Sequence, residues 1–178
     1  MFRPVGAYPT VEWLMEHFGM TTLPVESTYF VNTYRSEART TEGAHAGTAM
    51  IGLYSADPVS HSLFHRLQHD EVWHFYGGDP LRLILLNPDG SSEDVILSAD
   101  LAAGHRVQYV VPAGVWQAGE TTGAWSLFGC TMAPGFSGEI FESGYAHELI
   151  AAYPDRRDDI ARLGVPPEAP NSLPHGFV

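Results

Sequence analysis

The sequence has one cysteine, few basic residues and no long run of apolar residues. Because Cys130 is the single thiol, no disulfide can form within the chain, and its apolar surroundings in "WSLFGCTM" predict a buried, inert side chain. No segment approaches the ~20 apolar residues that a membrane helix needs. The start of the chain, "MFRPVGAYPT", lacks the apolar core and cleavage site of a secretory leader. We therefore expect a soluble, cytoplasmic protein that does not bind membranes.

Positive charge is also scarce. Nine Lys and Arg residues stand against 21 Asp and Glu residues, which gives a net charge of −12. The basic doublet Arg156-Arg157 is flanked by Asp155, Asp158 and Asp159. An excess of this size repels the phosphate backbone, so we expect no nucleic-acid partner.

What remains is the composition of one folded domain covering residues 1–178, with 44% apolar and 17% charged residues. A helix is predicted over 10–19, with Thr10 as its N-cap and Gly19 at its end. Its apolar positions recur with helical spacing: Val11, Leu14, Met15 and Phe18.

Short strands dominate the middle of the chain. Eight β-branched or aromatic runs are separated by turn residues: "TYFVNTYR", "GTAMIGLY", "SLFHRL", "EVWHFY", "LRLILLN", "DVILS", "RVQYVV" and "AWSLFGCTM". This pattern predicts an all-β antiparallel sandwich or barrel over about 20–145. Helices follow over about 145–164, in "YAHELIAAY" and "DRRDDIARLG". The proline-rich remainder, 165–178, is expected to be flexible or to order on contact with the barrel.

Potential metal ligands are densest in "HRLQHDEVWH", which contains His65, His69, Glu71 and His74. If the flanking runs are strands, their side chains alternate between two faces. Glu71 and His74 then point in opposite directions, and His69 belongs to the turn. The four side chains therefore cannot surround one ion. At most His65 and Glu71 converge, provided that both face inward.

The same region resembles the two conserved motifs of the cupin superfamily. Aligned on Glu71, the first metal-binding histidine of the family falls on His65, the second on Leu67 and the third on Gln117. The glycines and proline of the motifs correspond to Gly78, Gly104 (somewhat early), Pro112 and Gly114. Longer stretches resemble one branch, cupin family 5: "TAMIGLY", "FHRLQHDEVWHFYGGDPLRL", "QYVVPAGVWQAG" and "FGCTMAPGFSGEIFE".

This resemblance implies a cupin-type double-stranded β-helix, which is a jelly-roll barrel, with short N- and C-terminal helices. It also implies a homodimer and a pocket between the sheets. The family shows a glutamate, two glycines and a tyrosine near the start of the barrel. Here the segment reads "VESTY", with Ser27 and Thr28 replacing the glycines, so a changed pocket wall or turn is expected beside Glu26.

The ligand set argues against tight metal binding, because leucine offers no donor atom and an amide oxygen is a weak ligand for transition metals. We therefore predict no cofactor. Any ion that does bind would be held by His65, Glu71 and Gln117.

Without metal, His65 and Glu71 are the predicted catalytic pair, since an imidazole can take up or release a proton near neutral pH. Predicted substrate contacts are Gln117, Trp73, Phe75, Tyr109 and Glu26. The leading hypothesis is acid–base chemistry on a small polar metabolite, as in an epimerase, isomerase, cyclase or lyase. Two alternatives remain open: a non-catalytic cupin that binds a sugar or nucleotide, and a metal-dependent enzyme such as a dioxygenase. A His–Glu pair that only satisfies its own hydrogen bonds is the structural alternative.

Overall fold

Strands outnumber helices in the structure, a computed structural model that describes residues 9–174 and 177. The α-helices in this part of the chain are α1 (Val11–Phe18), α2 (Ala146–Ala152) and α3 (Arg157–Leu163). The strands are β1 (Thr21–Thr22), β2 (Tyr29–Arg35), β3 (Thr48–Ala56), β4 (Val59–Ser60), β5 (His65–Leu67), β6 (Glu71–Gly78), β7 (Leu81–Leu86), β8 (Ser92–Leu97), β9 (Gln108–Val111), β10 (Trp116–Thr121), β11 (Trp125–Met132) and β12 (Phe141–Ser143).

These strands form two antiparallel sheets. The larger sheet has the order β1-β2-β3-β11-β6-β9, with β4 beside β3, and the smaller sheet has the order β12-β5-β10-β7-β8. Apolar side chains of both sheets meet in one core, where Trp73 and Phe128 from the larger sheet join Leu83 and Leu85 from the smaller. The sheets are therefore the two walls of a β-sandwich whose interior is closed by side chains.

The predicted strand over 62–67 is shorter in the structure, where β5 begins only at His65. The backbone amide of Phe64 donates to the carbonyl oxygen of Leu163 in α3 (2.7 Å). Because a C-terminal helix takes this hydrogen bond, Phe64 is not part of a strand ladder.

Strands β5 and β6 are consecutive but belong to different sheets. The turn at residues 68–70 carries the chain from the smaller sheet to the larger, and the Asp70 carboxylate fixes it by accepting a hydrogen bond from the backbone amide of Ala113 (2.9 Å). His65 and Glu71 therefore approach the interior from opposite walls.

Helix α1 covers part of the outer face of the larger sheet. Thr10 caps it by accepting a hydrogen bond from the amide of Trp13 (3.2 Å), and Gly19 ends it in the left-handed conformation (φ 65°). Val11 and Leu14 are buried against Leu53 of β3. The predicted helix over 10–19 thus spans Val11–Phe18, and its apolar stripe faces the sheet.

Helices α2 and α3 cover the smaller sheet. Leu149 of α2 and Ile160 and Leu163 of α3 pack with Ile84 and Leu86 of β7, and all five are almost fully buried. These helices give β7 a second covered face, which explains the unbroken apolar run "LILL" in that strand.

The described part of the proline-rich C-terminal segment lies against the barrel. Leu173 is buried with Met132 and Phe141, and Phe177 packs at the same place. The amide of Gly138 donates to the carbonyl oxygen of Phe177 (2.8 Å). Of the two expectations for this segment, ordering on contact describes Leu173 and Phe177, while residues 175, 176 and 178 lie outside the described residues.

Candidate active site

A cavity lies between the two sheets at the end where the C-terminal segment packs. Centres of water-sized molecules can occupy about 70 Å³ of it, which is room for several waters or a small ligand. Four of the predicted site residues line this cavity: Glu26, His65, Glu71 and Trp73. The other lining residues are Leu23, Thr28, Phe30, Asn32, Thr48, Ala49, Met50, Tyr54, Ser62, Leu67, Cys130, Met132, Phe136, Phe141 and Phe177.

Glu26 reaches the cavity from the loop that precedes β2. One carboxyl oxygen, Oε2, accepts a hydrogen bond from the backbone amide of Leu63 (3.0 Å). Burial of the side chain raises the pKa of Glu26 to about 8, because an ionised carboxylate loses its hydration there, and the nearby charge of Glu71 adds to the effect. Glu26 is therefore mostly protonated near neutral pH.

The serine and threonine that replace the family's glycines hold this loop in place. The hydroxyls of Ser27 and Thr28 both donate to the carbonyl oxygen of His61 (3.1 and 3.2 Å), and the amide of His61 donates back to Ser27 Oγ (3.2 Å). Neither Ser27 nor Thr28 has a positive φ, so the backbone at these two positions does not require glycine. They fasten the Glu26 loop to the segment that leads into β5.

His65 presents a neutral imidazole to the cavity. Its Nδ1 donates to the carbonyl oxygen of Leu63 (2.9 Å), which places the proton on that nitrogen. Its ring stacks on Phe141, with centroids 5.1 Å apart. Burial lowers the pKa of His65 to about 4, since the imidazolium would be poorly solvated. The other nitrogen, Nε2, makes no hydrogen bond to a described residue and is left to accept one from a ligand.

Glu26 and His65 share the backbone of Leu63 and lie close to one another. His65 Nδ1 is 4.0 Å from Glu26 Oε2. Since the imidazole is neutral and the carboxyl mostly protonated near pH 7, this contact is not an ion pair at that pH. It is a neutral base beside a neutral acid.

Glu71 is fixed by residues of both sheets. Its Oε2 accepts a hydrogen bond from the Nε2 amide of Gln117 (2.7 Å), and the amide oxygen of Gln117 accepts one from the indole N–H of Trp73 (3.0 Å). The buried thiol of Cys130 also hydrogen-bonds to Glu71. Burial raises the pKa of Glu71, and the Gln117 and Cys130 hydrogen bonds oppose that rise.

Tyr54 is a lining residue that the sequence reasoning did not select. Its side chain is fully buried, and its hydroxyl hydrogen-bonds to Ser62. Burial raises the pKa of the Tyr54 phenol well above its ordinary value, so the hydroxyl stays protonated. Gly119 makes room for it, because a Cβ at that position would lie 2.7 Å from the Tyr54 ring. The strand alternation of "TAMIGLY" puts Tyr54 on the same face as Met50, and that was the available signal.

Three predicted site residues lie outside the cavity lining. Gln117 is buried behind it and acts on it through Glu71 and Trp73. Phe75 and Tyr109 pack at the border of the core, where the Tyr109 hydroxyl donates to Glu93 (3.2 Å). Their assignment as substrate contacts stays a prediction, and none of the three side chains lines this cavity.

His74 points away from Glu71, as the strand alternation predicts. Its Nε2 lies 2.9 Å from the hydroxyl of Thr131, and its Nδ1 lies 3.2 Å from the side-chain amide of Gln108. Both partners belong to neighbouring strands of the larger sheet. His74 thus stays outside the polar cluster in the cavity.

The side chains do not fit a metal centre. Among residues 9–174 and 177, no group of three or more His, Cys, Asp or Glu side chains is arranged to hold an ion. At the aligned ligand positions, Leu67 has no donor atom, and the amide oxygen of Gln117 already accepts the Trp73 hydrogen bond. We therefore assign no step of the chemistry to a metal.

Comparison with known proteins agrees with this architecture. Residues 12–144 match the model of the family Cupin_5, described as Cupin superfamily (DUF985). The chain belongs to this family. The cupin is similar to a solved structure from Shewanella oneidensis, with 28% identity and a TM-score of 0.82 over 89% of this chain and 99% of that one. A hypothetical protein from Leishmania major is also similar, with 26% identity and a TM-score of 0.78 over 88% and 99% of the two chains.

A more distant structure confirms the fold class. A cupin 2 conserved barrel domain protein from Rhodopseudomonas palustris shares 11% identity with this cupin and aligns with a TM-score of 0.53, covering 82% of this chain and 90% of that one. No curated protein matches the sequence. The predicted family and the predicted double-stranded β-helix are thus both confirmed, while the reaction has to be argued from the site. None of the described helices is long and apolar enough to cross a membrane.

Proposed function

We propose that this cupin is an enzyme that moves protons on a small polar metabolite without a metal, as an isomerase, epimerase, cyclase or lyase does. One observation carries the proposal: the neutral imidazole of His65 and the raised-pKa carboxyl of Glu26 lie 4.0 Å apart, Nδ1 to Oε2, on the wall of one cavity. An unprotonated base and a protonated acid on one cavity wall are the minimum equipment for general acid–base catalysis.

The chemistry that suits these groups is enolisation. His65 Nε2 takes a proton from a carbon beside a carbonyl, the C–H electron pair moves into the new C=C bond, and the carbonyl oxygen takes the proton of Glu26. Reversal at the neighbouring carbon, or from the other face, gives an isomer or epimer, and both side chains regain their starting states. Glu71 faces the same cavity from the larger sheet, and its charge helps to keep the proton on Glu26.

Proton exchange with solvent tests this function. The protein is incubated in D2O with a panel of small hydroxy-aldehydes and hydroxy-ketones, and loss of carbon-bound proton signals is followed by NMR. We expect exchange with at least one compound, unaffected by a chelator and reduced about 100-fold or more in His65→Ala. His147→Ala, at an exposed helix position, is the control and should exchange like the unmodified protein. Equal exchange in His65→Ala and the control would contradict the proposal.

A binding protein without turnover is the second candidate. It is favoured by the backbone hydrogen bonds that Leu63 makes with both Glu26 and His65, because these already satisfy part of the site without a substrate. In that case a compound from the panel raises the melting temperature of the protein, and no deuterium enters it.

We further propose a homodimer, in which the uncovered part of the larger sheet is the contact. Helix α1 covers the β2–β3 side of this face, but Tyr76 and Val110 on the β6–β9 side are 53% and 47% exposed. Sedimentation velocity tests this. A dimer that Tyr76→Glu converts into a monomer supports the proposal, and a wild-type monomer at micromolar concentration refutes it.

A further inference from the structure

The described lining of the cavity has acidic groups but no Lys or Arg side chain. All nine Lys and Arg residues of the chain are arginines, and none of the eight that the structure describes is buried or lines the cavity. Arg66 pairs with Glu142 on the outside of the smaller sheet (2.7 Å), and Arg82 pairs with surface acids. Two carboxyl groups, Glu26 and Glu71, therefore face the cavity with no Lys or Arg beside them among residues 9–174 and 177.

Glu26, His65 and Glu71 can all present hydrogen-bond acceptors to the cavity. His65 accepts through Nε2, because its Nδ1 proton is used by Leu63. When ionised, the carboxyl groups of Glu26 and Glu71 have no donor left, and each offers about four lone-pair positions. The hydrogen bond from Leu63 uses one position on Glu26, and those from Gln117 and Cys130 use positions on Glu71. These three acceptors, His65 and Glu71 on the two sheets and Glu26 on a loop, match in number the three N–H donors of an ammonium group.

Aromatic rings form much of the remaining wall. Trp73 and Tyr54 come from the larger sheet, Phe141 from the smaller, and Phe136 and Phe177 from the C-terminal part of the chain. The faces of aromatic rings attract cations, and this attraction strengthens where water is excluded. An anion is repelled here, because the described lining has two acids, no Lys or Arg, and aromatic rings whose faces are negative.

We propose that the cavity binds a small primary amine in its ammonium form, with the N–H groups directed at Glu26, His65 and Glu71 and the carbon chain against the aromatic wall. This rests on the proposed function only in taking the cavity as the functional site, and it names a class of ligand that binds with Glu26 ionised, a state in which Glu26 is not the acid of the proposed step. A positive charge in a buried site has to be compensated by ionised partners. Ligand binding should therefore drive the proton off Glu26, whose pKa is about 8 in the empty cavity.

Isothermal titration with three compounds of similar shape tests the inference: n-butylammonium chloride, butan-1-ol and sodium butyrate. Titrations near pH 7, in about 0.15 M salt, are run in two buffers that differ in ionisation enthalpy, so that proton release is measured with affinity. We expect the ammonium to bind at least about tenfold more tightly than the alcohol, with release of up to one proton. No measurable binding is expected for butyrate.

The net charge of −12 attracts any cation weakly, so the variants are chosen to separate this effect from the cavity. Glu26→Gln and Glu16→Gln replace the same carboxyl group by an amide, but Glu16 is exposed on α1. Glu26→Gln should weaken ammonium binding about tenfold and abolish proton release, whereas Glu16→Gln should change neither. Should Glu26→Gln fail to fold, Glu71→Gln gives the same comparison of affinity.

Binding of butan-1-ol or butyrate as tight as that of the ammonium overturns this inference but leaves the acid–base function intact. Equal losses in Glu26→Gln and Glu16→Gln also overturn it, because the attraction would then come from net charge. If none of the three compounds binds, the inference fails, and solvent exchange decides the proposed function independently.

Discussion

The side chain of Gln117 reaches from the smaller sheet to Glu71 on the larger one, with its amide nitrogen 2.7 Å from the carboxylate oxygen. Its own oxygen accepts the indole N–H of Trp73 (3.0 Å), so one amide satisfies a donor and an acceptor in the interior. Gln117 also stands directly beside His65 in the pairing of β10 with β5. It therefore ties together the two strands that carry the predicted catalytic pair.

Replacing this amide with an apolar group of similar size should be costly. Gln117→Leu removes the Gln117 hydrogen bond from Glu71 and the acceptor of the Trp73 indole N–H, and each loss costs about 1–3 kcal/mol of unfolding free energy. Urea unfolding followed by tryptophan fluorescence measures the change. Gln108→Leu is the control, because it makes the same substitution at an exposed position on β9. It should change the unfolding free energy by less than about 0.5 kcal/mol. Equal stability of the two variants would show that the bridge is not needed.

The raised pKa of Glu26 predicts a loss of stability as the pH rises. The unfolded carboxyl titrates near 4.5 and the folded one near 8, so the folded state holds more protons between these values. Stability is therefore greatest below the unfolded pKa and declines up to about pH 8, with a slope of up to roughly 1.4 kcal/mol per pH unit from this group. Urea midpoints from about pH 6.5 to 8, above the range in which His65 contributes, should fall for the wild-type protein and stay flatter for Glu26→Gln. Parallel profiles would contradict the assignment.

His65 predicts the opposite dependence at lower pH. Its folded pKa of about 4 lies below the ordinary histidine value of 6.5, so the folded state binds fewer protons between these values. Stability from this residue is lost as the pH falls from 6.5 towards 4. Imidazole ¹⁵N chemical shifts should show one ring that remains neutral at pH 5, with its proton on Nδ1. A His65 ring that is charged at that pH would refute the buried environment.

The end of β6 offers two adjacent glycines for a matched comparison. Gly78 has φ +88°, and a Cβ there would lie 2.4 Å from the ring and the carbonyl oxygen of Trp125. A Cβ at Gly77 would meet nothing within 4 Å. Gly78→Ala should therefore lower the unfolding free energy by about 2 kcal/mol or more, because overpacking and backbone strain add. Gly77→Ala should lie within about 0.5 kcal/mol of the wild type by thermal or urea unfolding.

Much of the fold was open to prediction from the sequence. The spacing of Val11, Leu14 and Phe18 identified α1, and the capping residues fixed its ends, because these signals are local. The resemblance placed Glu26, His65 and Glu71 near a pocket, and strand alternation excluded His74. The structure places these three residues on one cavity and His74 outside it, while their roles stay predictions.

The errors concern relationships between sheets. The sequence reasoning took 62–67 as one strand and missed β10 as an element, since "WQAGET" has little strand-like character beyond its first residues. The sheet that each strand joins depends on pairing partners far away in the sequence. The same is true of the hydrogen bonds that both polar atoms of Gln117 make inside the protein. Tyr54 was overlooked for the same reason, because its neighbours in the cavity come from other strands.

The crossing at residues 68–70 gives the site a mechanical property. Since His65 and Glu71 belong to opposite walls, the gap between base and carboxylate changes whenever the two walls slide or separate. Substitutions deep in the shared interior, such as at Leu83 or Phe128, can therefore retune the reaction while touching none of the reacting groups. Distance from the chemistry is a poor guide to which positions control it in this protein.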